Sequence, residues 1–395
     1  MEDLVDGTGA PQSADWTPNR RTMEDPANTT SASPQPGLGE LQFYRGKSVF
    51  VTGHTGFKGS WLCRMLVRAG ATVHGYALTP DDTFSLFNIA NIDQDVESTF
   101  GDIRDVSALE RAFSRAQPDI VIHLAAQPLV RESYQHPRET YEINVMGTVN
   151  VMECARKTGS VRSILNVTTD KVYRDNGNEQ VFSEEDFLDG ADPYSNSKSC
   201  SELVTHCYQR SFLSSTGTAL STARAGNVIG GGDFARDRLV PDCVRAVLAD
   251  KPIVIRNPRS VRPFQHVLES LGAYLMIARA QYDDAALAGW YNVGPRYEDC
   301  LSAGDLADEF CTCWGKSARW EHHGDNGPYE AARLQLDSTL IRKTFGWHPV
   351  WDVHEAIYRT VEWTRTWVDE KRARDCLDEQ IERWCAVAQR GERDV

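Results

Sequence analysis

A glycine-rich turn near residue 53 constrains the fold of this chain more than any other feature. It follows a short apolar run over residues 47–52 and precedes residues 60–68, whose apolar side chains recur at helical spacing. Glycines at three-residue steps let a strand turn tightly into a helix and let a pyrophosphate approach the backbone, while the first helical N–H groups stay free to bind it. The turn therefore predicts a dinucleotide site, against the alternative of a glycine-rich turn without a ligand. Its residues are Gly53, Thr55, Gly56, Phe57, Lys58 and Gly59.

Strand-like and helix-like segments alternate along the chain after this turn. Helix-like segments at 141–156 and 195–212 lie between apolar runs at 71–77, 120–124, 163–168 and 219–223. Strands that alternate with helices form parallel sheets with both faces covered, because each crossover connection carries a helix. We therefore predict an α/β fold built on a doubly wound, Rossmann-type parallel sheet.

The two ends of the chain differ from this central region. Residues 1–44 are rich in Pro, Ser, Thr, Asn, Asp and Gly and lack hydrophobic periodicity, which predicts a disordered N-terminal tail. Residues 45–225 then form the dinucleotide-binding Rossmann domain. Beyond residue 226 the alternation weakens and Trp and Pro become common, which predicts a smaller, mixed C-terminal substrate domain over 226–395. We expect a helix at 353–368 and some segments that return to the Rossmann domain.

Composition and charge argue against several classes of protein. The 56 acidic and 42 basic side chains give a net charge of −14, which disfavours a nucleic acid or an anionic membrane surface as the main partner. No apolar run approaches the roughly 20 residues of a membrane span, and the first 40 residues lack the apolar core of a signal peptide. We expect a cytoplasmic protein with ten reduced cysteines. Cys311 and Cys313 have no second pair to complete a zinc site, so we predict no metal.

The choice of dinucleotide depends on the end of the second strand. A carboxylate there usually binds the adenosine ribose, but this strand ends Tyr76-Ala-Leu-Thr79, and Asp81 and Asp82 come slightly late. No arginine stands there to accept a 2′-phosphate, so NAD is favoured over NADP. Asp102, at the end of a predicted third strand, is a candidate partner for the adenine amino group, with a solvated turn aspartate as the alternative.

A phenol and an ammonium group define a candidate redox site. Tyr194 and Lys198 are four residues apart, which places both on one face of a helix. We expect the ammonium to lower the pKa of the phenol, so that it can exchange a proton with a substrate hydroxyl while hydride moves to or from nicotinamide. Thr169, at a strand end about 25 residues earlier, supplies a hydroxyl to hold the substrate oxygen. The pattern Tyr-x-x-x-Lys alone is common by chance, and these three residues together carry the prediction.

Asp170 and Lys171 extend the same strand end and add an acid and a base. A simple alcohol dehydrogenase does not need them, so they point to a second chemical event such as an elimination. The alternative is a solvated turn at the end of a strand. Asn144 lies on the helix predicted beneath the site, where its amide would hold a water and support Lys198, or would be an ordinary surface residue.

Several longer stretches resemble the CDP-glucose 4,6-dehydratases, a family within the extended short-chain dehydrogenases/reductases, whose glycine spacing the turn also shares. The match covers about residues 46–368, and the pair Asp170-Lys171 distinguishes it from dehydratases of dTDP-glucose, which carry Asp-Glu there. The stretches are 51–61, 123–131, 144–148, 192–195, 223–233 and 262–269.

The resemblance implies an internal redox cycle on a nucleotide sugar, with NAD as the cofactor. Tyr194 would take the proton of the 4-hydroxyl, Asp170 would protonate the departing 6-oxygen, and Lys171 would take part in deprotonation at C5. The product would be CDP-4-keto-6-deoxyglucose. The resemblance also assigns cofactor contacts to Ile103, Leu124, Ala125, Ala126 and Asn144, besides Tyr194 and Lys198.

An acidic chain that binds a sugar diphosphate needs local cations. Candidates are Asn227, Arg238 and Arg262, since an arginine fork matches phosphate oxygens, with surface ion pairs as the alternative. Arg131 and Ser133 are candidates to line the sugar pocket. By analogy with the superfamily we expect a homodimer or homotetramer formed through 141–156 and 195–212.

Three departures from the family pattern fall near the presumed sugar site. Residues 174–180 are polar where a tryptophan-containing loop is usual, Phe264 replaces Trp, and Tyr329 replaces His. Two alternatives therefore stay open beside the dehydratase: a nucleotide-sugar epimerase or a dehydratase of another nucleotide sugar, and a non-catalytic dinucleotide sensor. The sensor is disfavoured because it has no need for Tyr194, Lys198 and Thr169 together.

Overall fold

Seven parallel strands form the central sheet of the computed structural model, which describes residues 41–80, 84–175, 180–315, 317–324 and 334–391. Counted along the chain, the seven strands lie in the order third, second, first, fourth, fifth, sixth and seventh, so the chain reverses its direction of winding between the first and the fourth. Ligands of such sheets bind at this switch point, outside the carboxyl ends of the strands. The predicted doubly wound parallel sheet is confirmed. Its strands are β1 (Ser48–Thr52), β2 (Thr72–Ala77), β3 (Glu97–Phe100), β4 (Ile120–His123), β5 (Ser163–Val167), β6 (Ala219–Ala225) and β11 (Trp290–Val293).

Helices cover both faces of this sheet because its strands bury side chains alternately to each side. In β1, Val49 and Val51 pack with one set of helices, while Phe50 packs with the other. The first face carries α1 (Phe57–Arg68), α9 (Val267–Asp283) and α13 (Ala373–Gly391), and the second carries α3 (Val106–Ala116) and α6 (Gly147–Lys157). The remaining helices of the first half are α2 (Leu86–Ile89), α4 (Val130–Gln135), α5 (Pro137–Tyr141) and α7 (Pro193–Tyr208).

A third hydrophobic core lies in the second half of the chain, between helices and three small two-stranded sheets. Strand β7 (Val228–Ile229) pairs with β10 (Gln265–His266), β8 (Ile253–Ile255) with β13 (Trp320–His322), and β9 (Val261–Pro263) with β12 (Cys300–Ser302). The helices here are α8 (Leu239–Leu248), α10 (Ala303–Trp314), α11 (Thr339–Phe345) and α12 (Val353–Arg365). Strand β11 is part of the large sheet and helix α9 packs against it, although both follow residue 226. The domain division at 225/226 stays a prediction.

The N-terminal boundary needs a correction. Leu41 and Tyr44 are buried, and Tyr44 donates a hydrogen bond to the carbonyl of Leu275, so residues 41–44 belong to the fold rather than to the predicted tail. They form a short 3₁₀ turn that an aromatic anchor holds in place. Residues 1–40 lie outside the described residues. Within the ranges that are described, no helix is long and apolar enough to cross a bilayer.

Candidate active site

The turn after β1 has the shape that its glycines predict. Gly53 has φ +75°, and a Cβ there would lie 2.8 Å from the amide nitrogen of Ala125. A Cβ at Gly59 would lie only 2.1 Å from the carbonyl oxygen of Gly53, so this glycine lets α1 start directly against the turn. Gly56 begins the helix without a side-chain cap, which leaves the first helical N–H groups available to an anion. The turn therefore fits a dinucleotide pyrophosphate.

The hydroxyl of Thr52 joins this turn to the loop after β4. It accepts hydrogen bonds from the amides of Leu124 and Ala125, at 3.1 and 3.2 Å, and lies 2.7 Å from Nδ1 of His123. Burial lowers the pKa of His123 to about 3, so its ring is neutral and structural. Leu124 and Ala125 thus line the switch point beside Gly53, with Ala126 following in the same loop. Their contact with a cofactor stays a prediction.

The end of the crevice predicted for adenosine differs in detail from expectation. The carboxylate of Asp102 accepts hydrogen bonds from Arg104, at 2.6 Å to Nη2 and 2.8 Å to the backbone amide, and this pairing lowers the pKa of Asp102. Any adenine contact would have to share that carboxylate with Arg104. Ile103 is buried against Gly147. Thr55 donates its hydroxyl to the carbonyl of Leu78, and Asp81 and Asp82 lie outside the described residues.

The redox trio meets at one place, as the sequence predicts. Helix α7 begins at Pro193 with Asp192 as its cap and carries both Tyr194 and Lys198, while Thr169 follows β5. The hydroxyl of Thr169 hydrogen-bonds the phenol of Tyr194. The Nζ of Lys198 donates to the carbonyl of Val167 at 3.1 Å.

The prediction of a lowered pKa for the phenol of Tyr194 is wrong. Burial is the largest cause of a rise in the pKa of Tyr194 to about 12, while the hydrogen bond with Thr169 and the charge of Arg238 act in the opposite sense. Burial also lowers the pKa of Lys198 to about 8. Both groups are removed from water, and desolvation is the largest cause of each shift.

Asp170 is the buried centre of the second chemical group. Its side chain is 3% exposed; Oδ1 accepts a hydrogen bond from Thr169 at 2.9 Å, and Oδ2 has no hydrogen-bond partner among the described residues. The Nζ of Lys171 lies 3.9 Å from Oδ1, and that side chain is 26% exposed. A Cβ at Gly226 would lie 3.0 Å from Oδ2, so a bare backbone faces the carboxylate. The alternative of a solvated Asp-Lys turn is excluded for Asp170.

Asn144 binds the segments around the site directly. It is buried in a π-helical turn, Glu142–Met146, and is not a surface residue. Its amide exchanges two hydrogen bonds with the backbone of Gln127, at 2.8 and 3.0 Å, and donates to Ser197 at 2.9 Å. The predicted support of Lys198 through a water stays a prediction, while the amide itself binds the loop after β4 and α7.

The residues predicted to bind the substrate differ in their burial and in the partners that they already have. Arg238 pairs with Asp233 at 3.1 Å, and Asn227 has a buried Nδ2 without a partner in the described structure. Arg262 is buried and donates to the carbonyl of Val261, while Arg131 lies at the edge, 4.0 Å from Asp237.

Ser133 is held inside the fold, and its place in the sugar pocket stays a prediction. It is fully buried, and its hydroxyl donates to Val130 and accepts from the backbone amide of Tyr194. It therefore fixes the start of α7 from behind Tyr194.

Lys58 is the site residue that sequence reasoning understated. The glycine turn predicts only a cofactor contact for it, but its Nζ also approaches Tyr274, with 3.4 Å between Nζ and the hydroxyl. Burial lowers its pKa to about 7, and the charge of Arg238 adds to that shift. The charges of Asp170 and Lys198 also act on the pKa of Lys58: Asp170 raises it and Lys198 lowers it. No local pattern signals this, because Tyr274 comes from α9, 216 residues away.

The fold and this site are those of a known class of nucleotide-sugar enzymes. The family described as "GDP-mannose 4,6 dehydratase" matches residues 50–360, and the chain belongs to this family. A relative, the CDP-glucose 4,6-dehydratase of Salmonella typhimurium, is 43% identical over 358 residues, which cover 89% of this chain and 99% of that protein. The dTDP-glucose 4,6-dehydratase 1 of Escherichia coli is 26% identical and covers 82% of this chain and 95% of its own.

Solved structures share the fold at lower identity. The dTDP-glucose 4,6-dehydratase of Bacillus anthracis, solved in complex with NAD, has a TM-score of 0.67 at 21% identity and covers 82% of this chain and 97% of its own. The UDP-glucuronic acid 4-epimerase of Bacillus cereus, solved with UDP-glucuronic acid and NAD, has a TM-score of 0.69 at 22% identity, with 80% and 99% covered. Dehydratases and epimerases thus share this scaffold.

Proposed function

We propose that this chain is an NAD-dependent nucleotide-sugar 4,6-dehydratase that converts CDP-glucose to CDP-4-keto-6-deoxyglucose. The observation that carries the proposal is the buried Asp170, with Lys171 beside it, next to the Tyr194 redox trio. An enzyme that only oxidises or epimerises an alcohol needs the trio but not the pair. The 43% identity to the CDP-glucose enzyme over nearly its whole length supports the choice of nucleotide.

The redox half of the reaction falls to Tyr194, Lys198 and Thr169. When bound, NAD supplies oxidation at C4 and reduction at C6. Tyr194 accepts the proton of the 4-hydroxyl, and Thr169 holds the same oxygen through the hydroxyl that already contacts the phenol. Since the pKa of Tyr194 is raised to about 12, mainly by burial, turnover depends on cationic charge around the phenol. Arg238 carries such a charge within reach of the phenol, and Lys198 lies one turn further along α7.

The elimination half falls to Asp170 and Lys171. The 4-ketone makes the C5 hydrogen acidic, so the C5 proton leaves to a base and the 6-hydroxyl leaves with a proton as water. The pair supplies an acid and a base when its one labile proton is on Asp170 and Lys171 is the amine; the 3.9 Å between Nζ and Oδ1 is too long for direct transfer, so the proton passes through solvent or substrate. Asp170 then protonates the departing oxygen and Lys171 takes the C5 proton. Hydride return to C6 and a proton at C5 complete the product, which is the substrate less one water.

Binding of the substrate diphosphate falls to Arg238, Arg262 and Asn227. Arg238 is the residue of this set whose charge reaches Tyr194, which joins substrate binding to the reacting centre. The free Nδ2 of Asn227 is a donor that a ligand can use. Arg131, which lies 4.0 Å from Asp237, adds a cation at the edge of the proposed substrate site.

Incubation with four nucleotide sugars tests the function. The purified protein with NAD is given CDP-, dTDP-, GDP- or UDP-glucose, and the products are identified by mass. Loss of one water from CDP-glucose, with the ultraviolet absorbance of a 4-keto sugar in alkali, is the expected result. Loss of water from another sugar alone overturns the nucleotide assignment. An isomer of unchanged mass without that absorbance identifies an epimerase.

We further propose a homodimer, or a homotetramer built from it, in the cytoplasm. Helix α7 lies along the segment 141–148 through three side-chain hydrogen bonds, and the outer side of this pair exposes Met146 and Leu203, which are 51% and 54% exposed. Such apolar exposure fits a helix-pair interface. Light scattering of Leu203→Glu tests it: a monomer supports the proposal, and an unchanged mass contradicts it. All ten cysteines are free thiols, which fits a reducing compartment.

A further inference from the structure

A completely buried ion pair lies behind the strand end that carries Thr169, Asp170 and Lys171. Glu202 on α7 and Arg224 on β6 are both 0% exposed, and Oε2 of Glu202 lies 2.9 Å from Nη2 of Arg224. Although burial opposes ionisation, Arg224 and the surrounding hydrogen bonds lower the pKa of Glu202 to about 2. Hydrophobic side chains would fill such a place at least as stably. Stability alone therefore does not explain this ion pair, and another role has to be sought for it.

The ion pair is bonded to both ends of one short segment, residues 168–173. At the first end, the hydroxyl of Thr168 donates to Oε1 of Glu202. At the other end, Nη1 of Arg224 donates to the hydroxyl of Tyr173 at 2.8 Å, and that hydroxyl donates to Asn292 at 2.5 Å. Asp170 and Lys171 lie between these two attachments. The pair thus clamps the segment that holds the acid and the base.

The same helix holds the segment at two further points. Lys198 donates to the carbonyl of Val167, and Ser199 donates its hydroxyl to the carbonyl of Val172 at 2.7 Å. Lys198, Ser199 and Glu202 occupy one turn of α7, and Tyr194 lies one turn earlier. The spacing between the phenol and the Asp170 carboxyl is therefore set by α7 and its ion pair.

We propose that Glu202 and Arg224 are positioning residues for the elimination step, a proposal that rests on the proposed dehydratase function. Their paired charges hold Thr168 and Tyr173, and so fix Asp170 and Lys171 at the distance from the ketone that elimination needs. Loosening this hold displaces the acid and base more than the phenol, because Tyr194 and Lys198 are anchored in α7 itself. Oxidation at C4 then outruns elimination, and the cofactor stays reduced.

Two threonines provide a matched test. Thr168 and Thr222 both donate a hydroxyl to Glu202, at Oε1 and Oε2 respectively, but only Thr168 adjoins the acid and base. Thr168→Val removes the attachment, Thr168→Ser keeps the hydroxyl, and Thr222→Val is the control. The readouts are product formation, near-ultraviolet absorbance of reduced cofactor during turnover, and amide hydrogen exchange over residues 169–172.

In Thr168→Val we expect product formation to fall about 100-fold, as for a misplaced catalytic group, with reduced cofactor accumulating. Exchange over 169–172 should be about 10-fold faster, since one hydrogen bond to a charged group is lost. Thr168→Ser should recover most of the rate, and Thr222→Val should stay within about 3-fold of the parent. Equal exchange in all three variants overturns the proposal whatever the substrate. Faster exchange in Thr168→Val alone, in a protein that converts no nucleotide sugar, overturns the proposed function instead.

Discussion

Gly59→Ala is the sharpest test of the dinucleotide turn. The new methyl would lie 2.1 Å from the carbonyl oxygen of Gly53 and 2.7 Å from Cα of His54, and both are backbone atoms of the turn itself. Carbon contacts need about 3.5 Å, so the turn has to move by about 1 Å. Overpacking of this kind costs up to about 3 kcal/mol, because no flexible side chain can give way.

The matched control is Gly56→Ala in the same turn. Its methyl would meet only the oxygen of Gly53, at 3.4 Å, and its φ of −77° and ψ of 173° suit any residue. We expect a change in unfolding free energy of less than about 1 kcal/mol there. Urea unfolding without cofactor, followed by tryptophan fluorescence, compares the two variants.

Calorimetric titration then measures the affinity for NAD. In Gly59→Ala the displaced turn should weaken the binding of NAD at least about 10-fold. The reason is that the backbone N–H groups leave their positions at the helix start. A Gly59→Ala protein as stable as Gly56→Ala, and with undiminished NAD affinity, would refute the geometry described for this turn.

Three further predictions concern single side chains. Tyr194→Phe should bind NAD normally by calorimetry and lose turnover by about 100-fold or more, because no other group accepts the 4-hydroxyl proton; normal turnover would contradict the assignment. Lys58 has a pKa of about 7 in the fold and 10.5 ordinarily, so the unfolded chain binds more protons between these pH values and stability rises with pH across them. Lys58→Met should therefore stabilise the folded protein most below pH 7 and least near pH 10.5. A difference in unfolding free energy between variant and parent that stays constant with pH in urea unfolding would count against this prediction. Arg64→Ala should lower the unfolding free energy by about 2 kcal/mol, since Nε and Nη2 of Arg64 each donate to Asp378 at 2.6 Å. Arg68 is more exposed, so Arg68→Ala should lower the unfolding free energy by less than about 1 kcal/mol.

Local patterns predict the parts of this protein that local chemistry determines. The glycine turn follows from backbone sterics at Gly53 and Gly59, and the parallel sheet follows from the alternation of strands and helices. Tyr194 and Lys198 share one helix at four-residue spacing, so their common face is also readable from sequence. Thr169 and Asp170 meet them because strand ends collect at one edge of such a sheet.

The features that sequence missed depend on partners far away along the chain. Arg224 reaches Glu202 and Tyr173 from another strand, and neither contact has a local signal. The pKa of Tyr194 rises because the whole site is buried, which no spacing reveals. The position of Ser133 after a strand end predicts a place in the sugar pocket, but it does not predict the hydrogen bond by which its hydroxyl holds the backbone of α7.

The central claim is an internal transfer of hydrogen from C4 to C6 of the sugar, coupled to loss of water. The most direct measurement supplies CDP-glucose labelled with deuterium at C4, in ordinary water with NAD, and locates the label in the product by NMR. The account predicts a 4-keto-6-deoxy sugar that carries the deuterium on C6. Deuterium lost to solvent, or retained at C4 in an isomer of unchanged mass, would contradict it.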